Sequence, residues 1–368
     1  MEFSRKIRNI SIFSFFSGSG FLDLGFEYSG FNIVFVNEIN PSFLNAYKHA
    51  HLNLGMSVPK YGYCNESIET LLSEKKAEFQ TFLDQERQSG KIVGFIGGPP
   101  CPDFSVAGKN RGRNGNNGKL TSVYFDLIQE MKPSFFVFEN VKGLWKTEKH
   151  RRFYDEQKER IIESGYQVTD KLLNALEFGV PQDRERIIMF GIQNEMLSEK
   201  HIASFDWLKG SKYKIETVMG KKWPQTDEFI ENSIRACPKN VIKKLTVEYW
   251  FEKNKVLDHP NANDFFAPKV GKKRMNTILE GDVSRKSYKR LHRWRFSPTV
   301  AYGNNEVHLH PYKVRRISVA EALALQGLPR NFSLPKDMTL TEKFKTICNG
   351  VPFGLSLGIA ASVRDFLS

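Results

Sequence analysis

The chain has 368 residues, 40% hydrophobic and 13% aromatic, which is enough for about two domains with cores of their own. No apolar run approaches the ~20 residues of a membrane span, and the charged stretch at residues 1–6 has no apolar segment of a secretory signal behind it. A formal net charge of +13 and a pI near 9.4 point to a polyanionic partner. The four scattered cysteines (Cys64, Cys101, Cys237, Cys348) form no CxxC pair, which argues against a metal site and fits a reducing cytoplasm.

Residues 9–16 read as a first strand that runs into Ser17-Gly18-Ser19-Gly20, a glycine-rich turn opening a helix. Free N–H groups at that helix start suit a carboxylate or phosphate, although plain strand-to-helix punctuation explains such a turn equally well. A second strand, 31–36, ends in Asn37-Glu38-Ile39. An acid about twenty residues beyond a glycine turn is where ribose hydroxyls are held. With Ile39 beside it to meet a flat ring, the pair favours an adenosine-containing ligand over a merely solvated glutamate.

Residues 67–88 read as one helix, with Ile68, Leu71, Leu72, Phe79, Phe82 and Leu83 at helical spacing. It leads to an apolar strand at 92–96, which Gly97-Gly98-Pro99-Pro100-Cys101-Pro102 stops abruptly. Glycine opens backbone angles closed to other residues and proline fixes φ, so a single thiol is held on a stiff platform at a strand's carboxyl end. Such a thiol is a candidate nucleophile; a small buried cysteine beside a tight turn is the plainer alternative. Residues 108–119, rich in Gly, Asn and basic side chains, build no core and read as a mobile cationic loop, either a lid over substrate or a linker.

A helix at 124–131, broken by Pro133, precedes the strand 134–138, which ends in Glu139-Asn140-Val141. In a parallel sheet this tip lies next to the one carrying Cys101, so Glu139 faces the thiol or else caps a helix. Gln182-Asp183-Arg184-Glu185-Arg186 then sets two arginines on one face if extended, suited to a phosphate or base edge, or to salt bridges with the neighbouring acids.

Taken together, these segments resemble the cytosine-C5 DNA methyltransferases that use S-adenosylmethionine. The resemblance is carried by Phe16-Ser17-Gly18-Ser19-Gly20, Gly98-Pro99-Pro100-Cys101, Glu139-Asn140-Val141 and Gln182-Asp183-Arg184-Glu185-Arg186. It continues in 315–322, Gln326-Gly327-Leu328-Pro329 and Asn349-Gly350-Val351-Pro352, in family order and over nearly the whole chain except about 195–285. It implies an α/β fold: a Rossmann-like, doubly wound, mostly parallel sheet (1–194 and 335–368) with a smaller target-recognition domain (195–334). Three departures stand out. The family usually has Asp where this chain has Ser14, often a third glycine where it has Phe21, and an Asp-Ile pair after strand three where it has Ser67-Ile68.

By this resemblance S-adenosylmethionine sits against Phe16, Ser17, Gly18 and Gly20, with Glu38 on the ribose, Ile39 near the adenine, Ile68 and Pro99 alongside and Asn349 closing the site. Cys101 attacks C6 of a cytosine flipped from duplex DNA, with Glu139 stabilising the enamine, Asn140 beside it, Arg184 holding O2 and Arg186 supporting that geometry. Ser105 and Lys109 touch phosphates from the loop that closes behind the base. The dense basic stretch 269–295, interleaved with Tyr288, His292 and Trp294, implies DNA contacts from Arg290, Arg293 and Arg295. No metal is expected, His308 and His310 included. The expected protein is a monomeric cytoplasmic modification enzyme, with or without a restriction partner. A tRNA cytosine-5 methyltransferase with the same motifs is the alternative. A nicotinamide dehydrogenase gives Cys101 and Glu139 no role, and a silent DNA-binding regulator has no need of them.

Overall fold

A computed structural model describes residues 9–100, 116–197, 201–268 and 271–368; Cys101, Ser105 and Lys109 fall outside the described residues. Seven strands form one sheet: β1 (Ile10–Phe15), β2 (Asn32–Asn37), β3 (Tyr63–Cys64), β4 (Ile92–Gly97), β5 (Phe135–Val141), β6 (Tyr166–Asn174) and, after the short β7 (Gln182–Asp183), β8 (Glu185–Gln193). Their order is β3-β2-β1-β4-β5-β8-β6. All neighbouring pairs are parallel except those of β8, which runs antiparallel to both β5 and β6. The doubly wound α/β sheet expected from the sequence is therefore present.

The central strands read as unbroken apolar runs because both faces are covered. Side chains alternate along β5: Phe136 and Phe138 enter one core while Phe135 and Val137 enter the other. The first face is covered by α3 (Ile68–Leu72), α4 (Lys76–Gln88), α5 (Asn116–Met131) and, beyond the short α6 (Lys142–Lys146), α7 (Glu148–Glu163). Helices α1 (Phe21–Tyr28) and α2 (Pro41–Asn53) cover the second, joined by the C-terminal α13 (Phe353–Leu367).

Between β8 and that helix the chain is largely irregular, with short helices α8 (Ile215–Met219), α9 (Val247–Lys253) and α10 (Lys272–Asn276) and the strand β9 (Ser297–Pro298) paired parallel to β7. It then forms α11 (Val319–Leu325) and α12 (Leu340–Asn349). Val247 and Phe251 of α9, every residue of α11 except Glu321, and Phe344 of α12 share a core with Phe21, Leu24, Phe43 and Ala46 of α1 and α2. Residues 340–367 are apolar enough over 28 residues to match a membrane span by composition, yet 67% of that window is buried inside the fold. The stretch is also two helices, interrupted where Pro352 withholds its N–H.

Two sequence expectations shift. The single helix at 67–88 is two, since Ser73 leaves the helical region (φ −111°, ψ −85°) and turns its hydroxyl back to the Glu69 carbonyl at 2.8 Å. Helix α5 begins at Asn116, so the last residues of the expected loop 108–119 are helical.

Gly94 of β4 pairs with Phe135, and a Cβ there would lie 2.2 Å from the Phe135 ring. Gly94→Ala is expected to destabilise the chain by about 1–3 kcal/mol through overpacking, read as a lower urea midpoint at unchanged slope.

Candidate active site

The turn after β1 is built from unusual backbone. Phe16, Gly18 and Gly20 all have positive φ (51°, 56° and 82°), and for Phe16 this costs roughly 1–2 kcal/mol. Each residue of the turn is held from outside. Ser17 donates both N–H and Oγ to the Asn37 carbonyl at 3.1 Å. Gly18 N donates to Glu38 Oε2 at 2.8 Å, and Asn40 N donates to Glu38 Oε1 at the same distance. The hydroxyls of Ser19 and Thr346 meet at 2.7 Å, which ties α12 to the turn.

A Cβ on Gly20 would strike His51 at 2.4 Å, so that face is closed. On Gly18 the nearest atom is Thr346 Oγ1 at 3.9 Å, which leaves ordinary space beside the backbone. The Glu38 carboxyl, buried at the rim, is raised by desolvation against the opposing pull of the Asn40 and Gly18 amides. Ile39 is 60% exposed and free to lie against a ligand. Ile68 is not: it is 3% exposed and packed into the sheet core, and Ser67 is spent capping α3 through Thr70 N. Ile68 as a ligand contact is therefore corrected. Asn349 is exposed at the end of α12.

The second constellation lies at the tips of β4 and β5, which are parallel neighbours with Gly97 opposite Phe138. A Cβ on Gly98 would meet Glu139 Oε2 at 2.6 Å, so the carboxyl rests directly on the backbone leading to Pro99. The Asn140 amide donates to the Pro99 carbonyl at 3.4 Å, and its Oδ1 accepts from Val141 N at 2.7 Å. Arg186, on β8 beside Val141, brings Nε to 2.8 Å from Glu139 Oε1. Burial raises the Glu139 carboxyl, opposed by Arg186 and then by Arg184.

Arg184 is 1% exposed, and its Nη2 donates to the carbonyls of Cys348 at 2.5 Å and Gly350 at 3.1 Å. Its Nε and Nη1 are buried without a hydrogen-bond partner among the described residues. Desolvation, with Arg186 nearby, pushes this guanidinium down to about 9. Two nitrogens of a buried cation thus lack acceptors among the described residues, which makes this guanidinium a candidate donor to a ligand.

The profile of the family described as C-5 cytosine-specific DNA methylase matches residues 10–364. The chain belongs to that family. The Type II methyltransferase M.NmeDI of Neisseria meningitidis serogroup C is 54% identical over 357 residues, spanning 97% of this chain and 84% of that one. M.FnuDI, a Type II methyltransferase of Fusobacterium nucleatum, is 30% identical over 382 residues, spanning 98% and 95%. Among solved structures, a protein described as a DNA modification methyltransferase encoded within an E. coli prophage superposes with a TM-score of 0.66 at 21% identity, covering 97% of this chain and 99% of its own. That likeness speaks for the fold alone.

Within the basic stretch 269–295, two of the three arginines expected to face DNA lie inside the fold. Arg290 is 0% exposed, and its guanidinium is used up on the carbonyls of Ile278, His310, Lys313 and Met275 over the Phe229 ring. Arg293 is 2% exposed and bound at both ends of the Glu280 carboxylate (2.8 and 2.9 Å) and to Ser233. Neither side chain is available to a phosphate, so both assignments are corrected: charge density in a sequence does not tell a surface arginine from one that staples loops. Arg295 alone of the three is partly exposed. His310 is drawn towards Glu321 at 3.4 Å, and burial lowers the pKa of both His308 and His310.

Sequence reasoning missed Thr346, Cys348 and Gly350, which act through a hydroxyl and two carbonyls and have no residue-type signature. Arg293→Ala is expected to cost about 3–5 kcal/mol of unfolding free energy, because Glu280 is left buried without its cation. Arg295→Ala should change stability little and instead flatten the salt dependence of DNA binding; denaturant titration and filter binding check the two.

Proposed function

We propose that the chain is a DNA (cytosine-5-)-methyltransferase of the modification type, which transfers a methyl group from S-adenosylmethionine to C5 of a cytosine flipped out of a specific duplex sequence. The observation that carries this reading is the Glu139 carboxyl, desolvated, paired with Arg186 and resting on Gly98 three residues before Cys101.

The residues present fit the cofactor: backbone open beside Gly18, a rimmed carboxylate at Glu38 and an exposed apolar side chain at Ile39. Phe16, Ser17, Gly18, Gly20, Glu38, Ile39, Pro99 and Asn349 would hold it. When bound, S-adenosylmethionine supplies an electrophilic methyl on a sulfonium.

The chain's own groups make cytosine able to accept it. The Cys101 thiolate bonds to C6, which pushes electron density onto C5, and Glu139 keeps a proton at N3 to stabilise that enamine. Arg184 offers its two free N–H groups to O2, with Asn140 bracing the turn through Pro99. Once C5 is methylated, its proton leaves to water and the C6–Sγ bond breaks, restoring the thiolate. Ser105 and Lys109 would touch phosphates beside the flipped base, and residues 195–334, Arg295 among them, would read the duplex. Such an enzyme works as a monomer in the bacterial cytoplasm, alone or beside a restriction enzyme.

Bisulfite sequencing of plasmid DNA from expressing cells should show methylcytosine at one short sequence. Cys101→Ser should abolish it while cofactor still binds; methyl transfer to tRNA instead of duplex DNA would overturn the reading. Glu139→Gln is expected to lower kcat by about 10²–10⁴-fold. Since Arg186 opposes the burial-driven rise of Glu139, Arg186→Gln should raise that pKa further. The protonated acid then persists to higher pH, and the alkaline limb of the kcat/KM profile moves to higher pH.

A further inference from the structure

Beneath the glycine turn lies a pair of side chains that the methyl-transfer chemistry leaves unused. Ser14, near the end of β1, donates its hydroxyl to Asp23 Oδ1 at 2.8 Å, and Asp23 stands in the first turn of α1. Their exposures are 1% and 0%. The bond therefore spans the base of the segment that holds Phe16, Gly18 and Gly20 at positive φ. A non-glycine residue persists at such an angle only where its surroundings over-determine it, and this bond is the one that ties the two ends of the turn directly together.

Stability does not explain the acid. Asp23 Oδ2 is buried without a well-formed hydrogen bond; the equally buried Tyr47 hydroxyl lies close by and only weakly favours the charged carboxylate. Glu27, one turn along α1, and Tyr47 and His51 of α2 are the other groups that act on it. The His51 ring is itself tied to Glu27 at 2.8 Å and stacked on Tyr47 at 3.8 Å, and these two rings close against Gly20. Desolvation lifts the Asp23 carboxyl to about 7, with the Ser14 bond working against that rise. An apolar side chain would fill the space without this penalty.

We propose that Asp23 is the positioning residue of the cofactor turn: with Ser14 it forms a buried acid–hydroxyl pair between helix and strand that locks Phe16–Gly20 in the conformation that accepts S-adenosylmethionine. The inference rests on the cofactor reading given above.

The test measures binding of S-adenosylhomocysteine to the full-length chain by calorimetry, alongside thermal unfolding and steady-state kinetics. Asp23→Leu, which removes the acceptor at similar size, should weaken that binding about tenfold and raise the cofactor KM in step, with kcat at saturating cofactor and DNA affinity unchanged. Its unfolding temperature should equal or exceed that of the unaltered chain, since a costly buried acid is gone. The double exchange Ser14→Asp with Asp23→Ser should restore most of the affinity, and decides the matter alone if Asp23→Leu does not fold. Unchanged affinity in Asp23→Leu, or a loss that only tracks a lowered unfolding temperature, overturns the proposal, as does a folded double exchange with no recovery. Failure of the unaltered chain to bind S-adenosylhomocysteine would instead sink the cofactor reading, and this inference with it.

Discussion

A carboxyl taken out of water, faced by arginine and pressed onto a glycine, sets the terms for its surroundings. Glu139 sits in its place because β4 and β5 are parallel neighbours, and because Gly98 has no side chain to contest the space. Removing Glu139 from solvent favours its proton-bearing form; the Arg186 charge keeps that preference from running too far. The balance leaves an acid that keeps its proton to higher pH than an ordinary glutamate. Neither partner does this alone, and both depend on β8 running antiparallel so that Arg186 falls opposite Val141.

The rest of the molecule supports this corner and the glycine turn together. The turn leans on β2 through Ser17, on Glu38 through Gly18, on α12 through Ser19 and on α2 through Gly20. Helices α9, α11 and α12 pack on α1 and α2 within one core, so the chain between β8 and α13 is continuous with the helices under the turn. β9 pairs with β7 immediately before Arg184, which fastens the irregular region to the strand tips at a second point. A displacement of that region would be felt at both places.

Much of this was legible in the sequence for plain reasons. Apolar runs ending in glycine or a carboxylate mark strand tips, and their alternation with helical periodicity gives a parallel sheet; Glu38, Glu139 and the two arginines were found that way. The missed features share a different physics. Arg290 and Arg293 read as a basic surface because composition carries no information on burial, whereas their partners are mostly carbonyls and one distant acid. The break at Ser73 depends on one side-chain hydrogen bond competing with the helix. Ile68 entered through the family resemblance, which says nothing of how deeply a matching residue is buried.

Arg184 draws its two acceptors from the carbonyls of Cys348 and Gly350, the latter 166 residues further along the chain. A ribosome that has released the whole sheet has therefore still not delivered what holds this guanidinium. Fragments ending before that point carry Arg184 and Glu139 without the carbonyls that fix the guanidinium beside the carboxyl. The contact also makes folding of this corner a late event, since so long a loop must close before its reward arrives.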